Sequence, residues 1–105
     1  MQMFYVPCPN TEEARAITLE LLQQRLITCA NIFPEISSLY MWEGKMVEDS
    51  ECVLVLKTSD TIDFETIEKS IRAVHSYKCP AIIKLPINKV NEDYLDWINQ
   101  NTRQL

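Results

Sequence analysis

The stretch Ile36-Ser37-Ser38-Leu39-Tyr40-Met41-Trp42-Glu43-Gly44-Lys45, with Glu51-Cys52-Val53-Leu54-Val55-Leu56-Lys57-Thr58 after it, decides the fold. In an extended chain Ile36, Ser38, Tyr40 and Trp42 fall on one face and Ser37, Leu39 and Met41 on the other. Gly44 supplies a turn. Beyond it Glu51, Val53, Val55 and Lys57 alternate with Cys52, Leu54, Leu56 and Thr58, so a second strand returns antiparallel to the first. The outgoing strand starts near Cys29 and is interrupted near Pro34, which makes each arm about a dozen residues long, well past the usual strand length.

Upstream, Met3 to Val6 is a short apolar run ended by Pro7 and Pro9, a first strand. Asn10 followed by Glu13 resembles a capping box, and Ala14, Ile17 and Leu21, widened by Leu22 and Leu26, form a helix running to about Leu26. Downstream, Ser59 or Asp60 is expected to cap a helix with Phe64, Ile67, Ile71 and Val74 inward and Glu65-Lys69 and Glu68-Arg72 on the wet face, ending near His75. A fourth strand, Ala81 to Ile87, is bounded by Pro80 and broken by Pro86. Asn91 then opens a last helix carrying Tyr94, Leu95, Trp97 and Ile98.

The order β-α-β-β-α-β with right-handed crossovers predicts an α+β, ferredoxin-like domain over residues 1–105, with an antiparallel sheet in the order 4-1-3-2 and two helices on one face. The extended hairpin and the extra C-terminal helix are additions to that frame. The topology puts Cys8 and His75 at one sheet end and Cys29 and Lys57 at the other. The hairpin surplus, with Leu39, Tyr40, Met41 and Trp42, would be an aggregation-prone edge if left alone. The helix-free face of the sheet also lacks a cover from this chain. A closed cyclic oligomer satisfies both requirements.

The 105 residues carry a net charge of −5 and a single glycine. Without a basic stripe, a nucleic-acid partner is not expected. The N-terminus lacks the charged start and long apolar run of a signal peptide, and no segment approaches a membrane span, so a cytoplasmic location is the expectation. Cys8, Cys29, Cys52 and Cys79 form no Cys-x-x-Cys pair and are expected to be thiols in a reducing compartment.

Thr28-Cys29-Ala30-Asn31-Ile32, Ser38-Leu39-Tyr40-Met41-Trp42-Glu43-Gly44-Lys45, Leu56-Lys57-Thr58, His75-Ser76-Tyr77, Leu85-Pro86-Ile87 and Tyr94-Leu95-Asp96-Trp97-Ile98 resemble the CutA family of divalent-ion tolerance proteins along almost the whole chain. The resemblance implies a homotrimer built like the PII signalling proteins, with the hairpin knitting subunits together. It also implies binding of, and tolerance to, divalent metals, copper above all. The family associates copper with a cysteine ending strand one, a histidine and a glutamate, which match Cys8, His75 and Ala81, so one ligand is missing. Lys78 stands where the family tends to have a carboxylate and disfavours a cation there.

Cys8 and His75 supply a thiolate and an imidazole suited to copper or zinc, and Cys79 is a candidate replacement for the lost carboxylate. The plainer alternative makes Cys8 a small buried hydrophobe and His75 a helix-end residue favoured by the dipole. Cys29, Lys57 and Tyr77 are expected to line a cleft between subunits. Lys57 near Cys29 suggests an activated thiol, but no base or oxyanion donors accompany the pair, so a structural role with Lys57 paired to a carboxylate is the simpler expectation. Tyr40, Trp42 and Trp97 are expected at the trimer interface.

These features predict a non-catalytic, trimeric metal-binding or metal-tolerance protein whose ligand is copper or another divalent cation. The alternative is a PII-like sensor or scaffold that takes a small anionic metabolite or a protein between subunits, with Lys57 as a contact. Acylphosphatase chemistry fails because Pro7 and Pro9 remove amide donors where phosphate would sit. A metallochaperone lacks its Cys-x-x-Cys, and an RNA-binding sheet lacks its basic and aromatic residues.

Overall fold

The computed structural model describes residues 1–103. Its elements run β1 (Gln2–Cys8), α1 (Thr11–Gln23), β2 (Cys29–Trp42), β3 (Lys45–Thr58), α2 (Phe64–Arg72), β4 (Ile83–Pro86) and α3 (Glu92–Asn101). The strands form one antiparallel sheet in the order β2-β3-β1-β4, the expected ferredoxin-like arrangement.

The β1–β3 register pairs Phe4 with Leu56, Val6 with Leu54 and Cys8 with Cys52. Because alternate residues share a face, Phe4, Val6, Cys8, Cys52, Leu54 and Leu56 point together. They are buried with Ala14, Ile17 and Leu21 of α1 and Ile67 and Ile71 of α2. Burying each large aliphatic or aromatic side chain stabilises the fold by roughly 1.5–3 kcal/mol. Gln2, at the far end of this row, donates through Nε2 to the Ser59 and Ile62 carbonyls at 2.9 and 2.7 Å, which ties β1 to the loop before α2.

β1 continues through Pro7 to Cys8 instead of stopping at Val6. The reason lies in β4, which pairs only with Gln2 to Tyr5, so Pro7 has no neighbour on that side to miss its N–H. Pro34 is likewise tolerated within β2 by a register shift between Phe33 and Ile36. α1 ends three residues before Leu26, where Arg25 takes a left-handed φ of 58°. The cap of α2 is Asp63, not Ser59 or Asp60, and its carboxylate accepts from the Thr66 hydroxyl. α2 stops at Arg72, leaving His75 just outside it. β4 covers only Ile83–Pro86 of the expected Ala81 to Ile87.

β2 and β3 each have 14 residues against 7 in β1, so the rows from Ile36↔Glu51 to Trp42↔Lys45 project beyond the rest of the sheet. At ~3.3 Å per residue an arm of this length accounts for the 45 Å long axis of the molecule. The turn at its tip places Glu43 at φ 50° and Gly44 at φ 77°, the paired positive angles of a tight hairpin turn.

Candidate functional site

The sheet end at Cys8 collects chemistry from four elements. Cys8 closes β1 and lies opposite Cys52 of β3, and both are fully buried free thiols. His75 follows α2 and is held by its backbone N–H to the Ile71 carbonyl at 2.8 Å. Its ring Nε2 lies 2.9 Å from the Pro7 carbonyl and its Nδ1 lies 3.2 Å from the Tyr77 backbone N–H. A carbonyl can only accept and an N–H can only donate, so the ring is the neutral tautomer with its proton on Nε2. The lone pair on Nδ1 is therefore engaged.

Glu13 of α1 closes this end. Asn10 Oδ1 accepts from the Glu13 N–H at 2.8 Å, as in a capping box, but the Glu13 carboxylate does not reach back. It accepts instead from the Ser76 N–H and hydroxyl at 3.2 and 3.1 Å and sits 3.6 Å from His75 Nδ1. Tyr77 packs beside His75, with ring centroids 4.8 Å apart, and its hydroxyl donates to Glu51 at 2.6 Å. Burial and then the Glu51 hydrogen bond raise the Tyr77 phenol above its ordinary value.

Cys8 shares the expected sheet end with His75, but the two do not form a ready divalent-cation site. The imidazole lone pair is taken, Ala81 offers no ligand, and Cys79 is exposed. Among the described residues no group of three His, Cys, Asp or Glu side chains could hold a metal ion. Burial, then Cys52, then the Glu13 and Glu51 carboxylates push the Cys8 thiol from 9.0 up to about 12.

At the opposite end Cys29 and Lys57 are direct partners across β2 and β3. Both point away from α1 and α2, on the face expected to be bare. Tyr94 of α3 reaches that face: its hydroxyl lies 3.3 Å from Cys29 Sγ and accepts from Lys57 Nζ at 3.2 Å. Among the described residues Lys57 thus pairs with a phenol, where a carboxylate was the expectation. Burial works to lower the Lys57 ammonium, but the Tyr94 hydrogen bond and Cys29 hold it above its ordinary value. α3 is fixed there by Thr28 Oγ1 donating to the Ile98 carbonyl at 2.9 Å, by buried Ile98 and by Thr102.

Tyr77 does not join Cys29 and Lys57; it lies with His75 and Glu51 at the other end. Tyr40 and Trp42 are on the exposed hairpin, where the Tyr40 hydroxyl donates to Asp49 at 3.2 Å, and Trp97 stacks near Tyr94 on α3. Sequence reasoning missed Glu13, Glu51, Cys52 and Tyr94 as site residues. Cys52 was within reach, since continuing the strand pairing from Leu56 opposite Phe4 leads to Cys52 opposite Cys8.

The burial pattern sets an order of thiol reactivity. Iodoacetamide at pH 8 followed by mass mapping is expected to label exposed Cys79 first and Cys8 and Cys52 only after unfolding. Because the folded state holds the Cys8 proton more tightly than the unfolded chain, its contribution to stability is complete below about pH 9 and is lost as pH rises toward about 12. Urea midpoints measured between pH 8 and 11 are expected to fall less steeply for Cys8→Val than for the parent.

Comparisons with known proteins agree with this architecture. Residues 2–101 match the model of the CutA1 divalent ion tolerance protein family. The chain is 40% identical over 101 residues to the divalent-cation tolerance protein CutA of Thermus thermophilus, covering 96% of this chain and 97% of that one. It is 36% identical to the protein CutA of Mus musculus, of which it spans only 56%. The crystal structure of CutA1 from Pyrococcus horikoshii superposes with a TM-score of 0.91 at 38% identity, covering 99% of this chain and 100% of that one. A PII-like protein CutA from Nostoc sp. PCC 7120 shares the fold, with a TM-score of 0.88 at 21% identity and full coverage of both chains. The family match over residues 2–101, with identity and superposition over nearly the whole length, places this chain in the CutA1 divalent ion tolerance family.

Proposed function

We propose that this chain works as a non-catalytic homotrimer in tolerance of divalent cations, copper first among them. One observation carries the reading: the hairpin rows beyond β1 expose Leu39 and Met41 at 65% each, Trp42 at 54% and Met46 at 79%. A cluster of this size on a projecting, two-stranded arm calls for burial against another copy. The exposed edge strand β4, with Ile83 and Leu85, offers a further surface to cover. The interface residues of this reading are Tyr40, Trp42 and Trp97. Four free thiols suit a reducing compartment such as the cytoplasm. Among the described residues no helix is long and apolar enough to cross a membrane. The family's name describes tolerance and not a reaction.

The metal part of the reading uses the end where Cys8 and His75 lie, with exposed Cys79 as the third donor. A divalent cation there has to take the His75 lone pair from the Tyr77 N–H.

A second reading rests on Lys57. Its ammonium, beside Cys29 and Tyr94, is only partly buried on the sheet face away from α1 and α2. It is a fitting contact for a small anionic metabolite or a protein carboxylate in a cleft between subunits, as in a PII-like sensor.

Sedimentation equilibrium is expected to give three chains for the parent. Leu39→Glu with Trp42→Glu is expected to dissociate it, since each lost apolar anchor costs ~1.5–3 kcal/mol, about ten- to a hundredfold per site. A monomeric parent would sink the trimer. Calorimetric titration with Cu(II) and Zn(II) is expected to show binding that His75→Gln with Cys79→Ser abolishes; retained binding in that variant would place the ligands elsewhere. For the second reading, thermal shifts with nucleotides and organic acids are expected to disappear in Lys57→Met, and shifts that persist would exclude Lys57.

A further inference from the structure

Cys29 and Lys57 are directly opposed across β2 and β3, and neither is fully buried. The Tyr94 hydroxyl lies 3.3 Å from Cys29 Sγ and 3.2 Å from Lys57 Nζ, so thiol and amine stand within hydrogen-bond distance of one oxygen. We propose that Cys29 and Lys57 form a covalent modification site: hydrogen peroxide oxidises Cys29, and Lys57 captures the product as a sulfenamide, a sulfur–nitrogen bridge between the two strands. The bridge needs neither a metal at Cys8 nor an anion at Lys57, so it stands or falls apart from both readings above.

Placement singles out this thiol. Directly opposite residues of an antiparallel pair hold their Cβ atoms ~4.5–5.5 Å apart, a gap that the flexible four-carbon stem of lysine spans with its nitrogen free to meet sulfur. Cys8 and Cys52 are wholly buried, out of reach of an oxidant in water, and exposed Cys79 belongs to no strand pairing. Cys29 is half-buried on the sheet face away from α1 and α2, which is open enough for a molecule as small as peroxide.

The neighbours supply what each step needs. Thiolate is the reacting form of cysteine, and the hydroxide that leaves when it attacks peroxide requires a proton. Burial works to lower the Lys57 ammonium, but the Tyr94 hydrogen bond and then Cys29 hold it above its ordinary value, so Lys57 starts as the proton donor. Once Cys29 is a neutral sulfenic acid, its charge no longer helps to hold that proton. Lys57 is then left beside an electrophilic sulfur as a free amine.

The chemistry balances with one peroxide. The Cys29 thiol first gives its proton to solvent. Its sulfur then attacks one peroxide oxygen, the S–O bond forms as O–O breaks, and the departing hydroxide takes a proton from Lys57 to become water. Next the Lys57 nitrogen attacks sulfur; the S–N bond forms as S–O breaks, and the second hydroxide leaves as water with an N–H proton. Sulfur is oxidised by two electrons and peroxide is reduced to two waters. Sulfenic acids are known to condense with nitrogen in this way, and attack by an added thiol on sulfur returns both side chains.

The test treats the reduced protein with hydrogen peroxide, blocks remaining thiols with iodoacetamide and maps the peptides by mass. The Cys29 and Lys57 peptides are expected to be joined, lighter by two hydrogens than their sum, and to separate in dithiothreitol. Lys57→Arg keeps a charge beside sulfur but cannot give up its proton, so dimedone is expected to trap Cys29 sulfenic acid in that variant and not in the parent. Lys57→Met is expected to slow oxidation of Cys29 about a hundredfold, the lower end of what a positioned acid contributes. The proposal is overturned by any of four results: no joined peptide at peroxide levels that oxidise Cys79, a bridge that retains oxygen, equal dimedone trapping in parent and Lys57→Arg, or an unchanged rate in Lys57→Met.

Discussion

The register of β1 on β3 is the constraint from which the rest of the molecule follows. Seven rows, from Gln2↔Thr58 to Cys8↔Cys52, set which residues enter the core. A slip of one residue would turn Phe4 and Val6 outward and bury Met3, Tyr5 and Pro7 in their place, so the apolar pattern leaves one pairing open. The same register sets the length of the free hairpin, because β3 goes on for seven residues past its last partner in β1. It also aims the Pro7 carbonyl, unneeded by β4, at the ring of His75.

His75 shows how a residue picked out for chemistry can be absorbed by structure. Its backbone completes the end of α2, one ring nitrogen ties α2 to β1, and the other receives the chain as it turns toward β4. Neutral imidazole does this work well, since each nitrogen meets a partner of the right kind. Glu13 reinforces the junction by capping the turn at Ser76 instead of its own helix. A cation that recruits His75 must therefore loosen a joint between three elements, which couples metal capture to the packing of the sheet end.

What was legible in the sequence follows from which signals are local. Alternation from Glu51 to Thr58, the Gly44 turn and the helical spacing of Ala14, Ile17 and Leu21 are read within one element, and strand order follows from chirality. The opposed sheet ends of Cys8 with His75 and of Cys29 with Lys57 follow from that order alone. Helix caps were less legible, because Ser59 and Asp60 carry the same capping chemistry as Asp63; the Ser59 hydroxyl accepts from the Thr61 N–H and hydroxyl and so closes the turn before α2 rather than the helix itself. Tyr94 was not legible as a site residue at all. Its hydroxyl meets Lys57 only because a threonine cluster at Thr28 and Thr102 seats α3 against the base of the hairpin, a long-range arrangement without a periodic trace.

The two ends differ in kind, and that difference bears on the two ligand readings proposed for this domain. One end carries buried thiols with Glu13 and Glu51, a setting that draws cations; the other carries Lys57 backed by a phenol. From Cys52 to Lys57 the strand spans about 17 Å at ~3.3 Å per residue. β3 is the shared member: it presents Cys52 to one end, Lys57 to the other, and continues into the hairpin arm. An influence of one ligand on the other could pass through the setting of this strand, and in an assembled trimer the hairpin would carry that setting to the neighbouring subunit. Coupling by strand position is a route that this geometry permits.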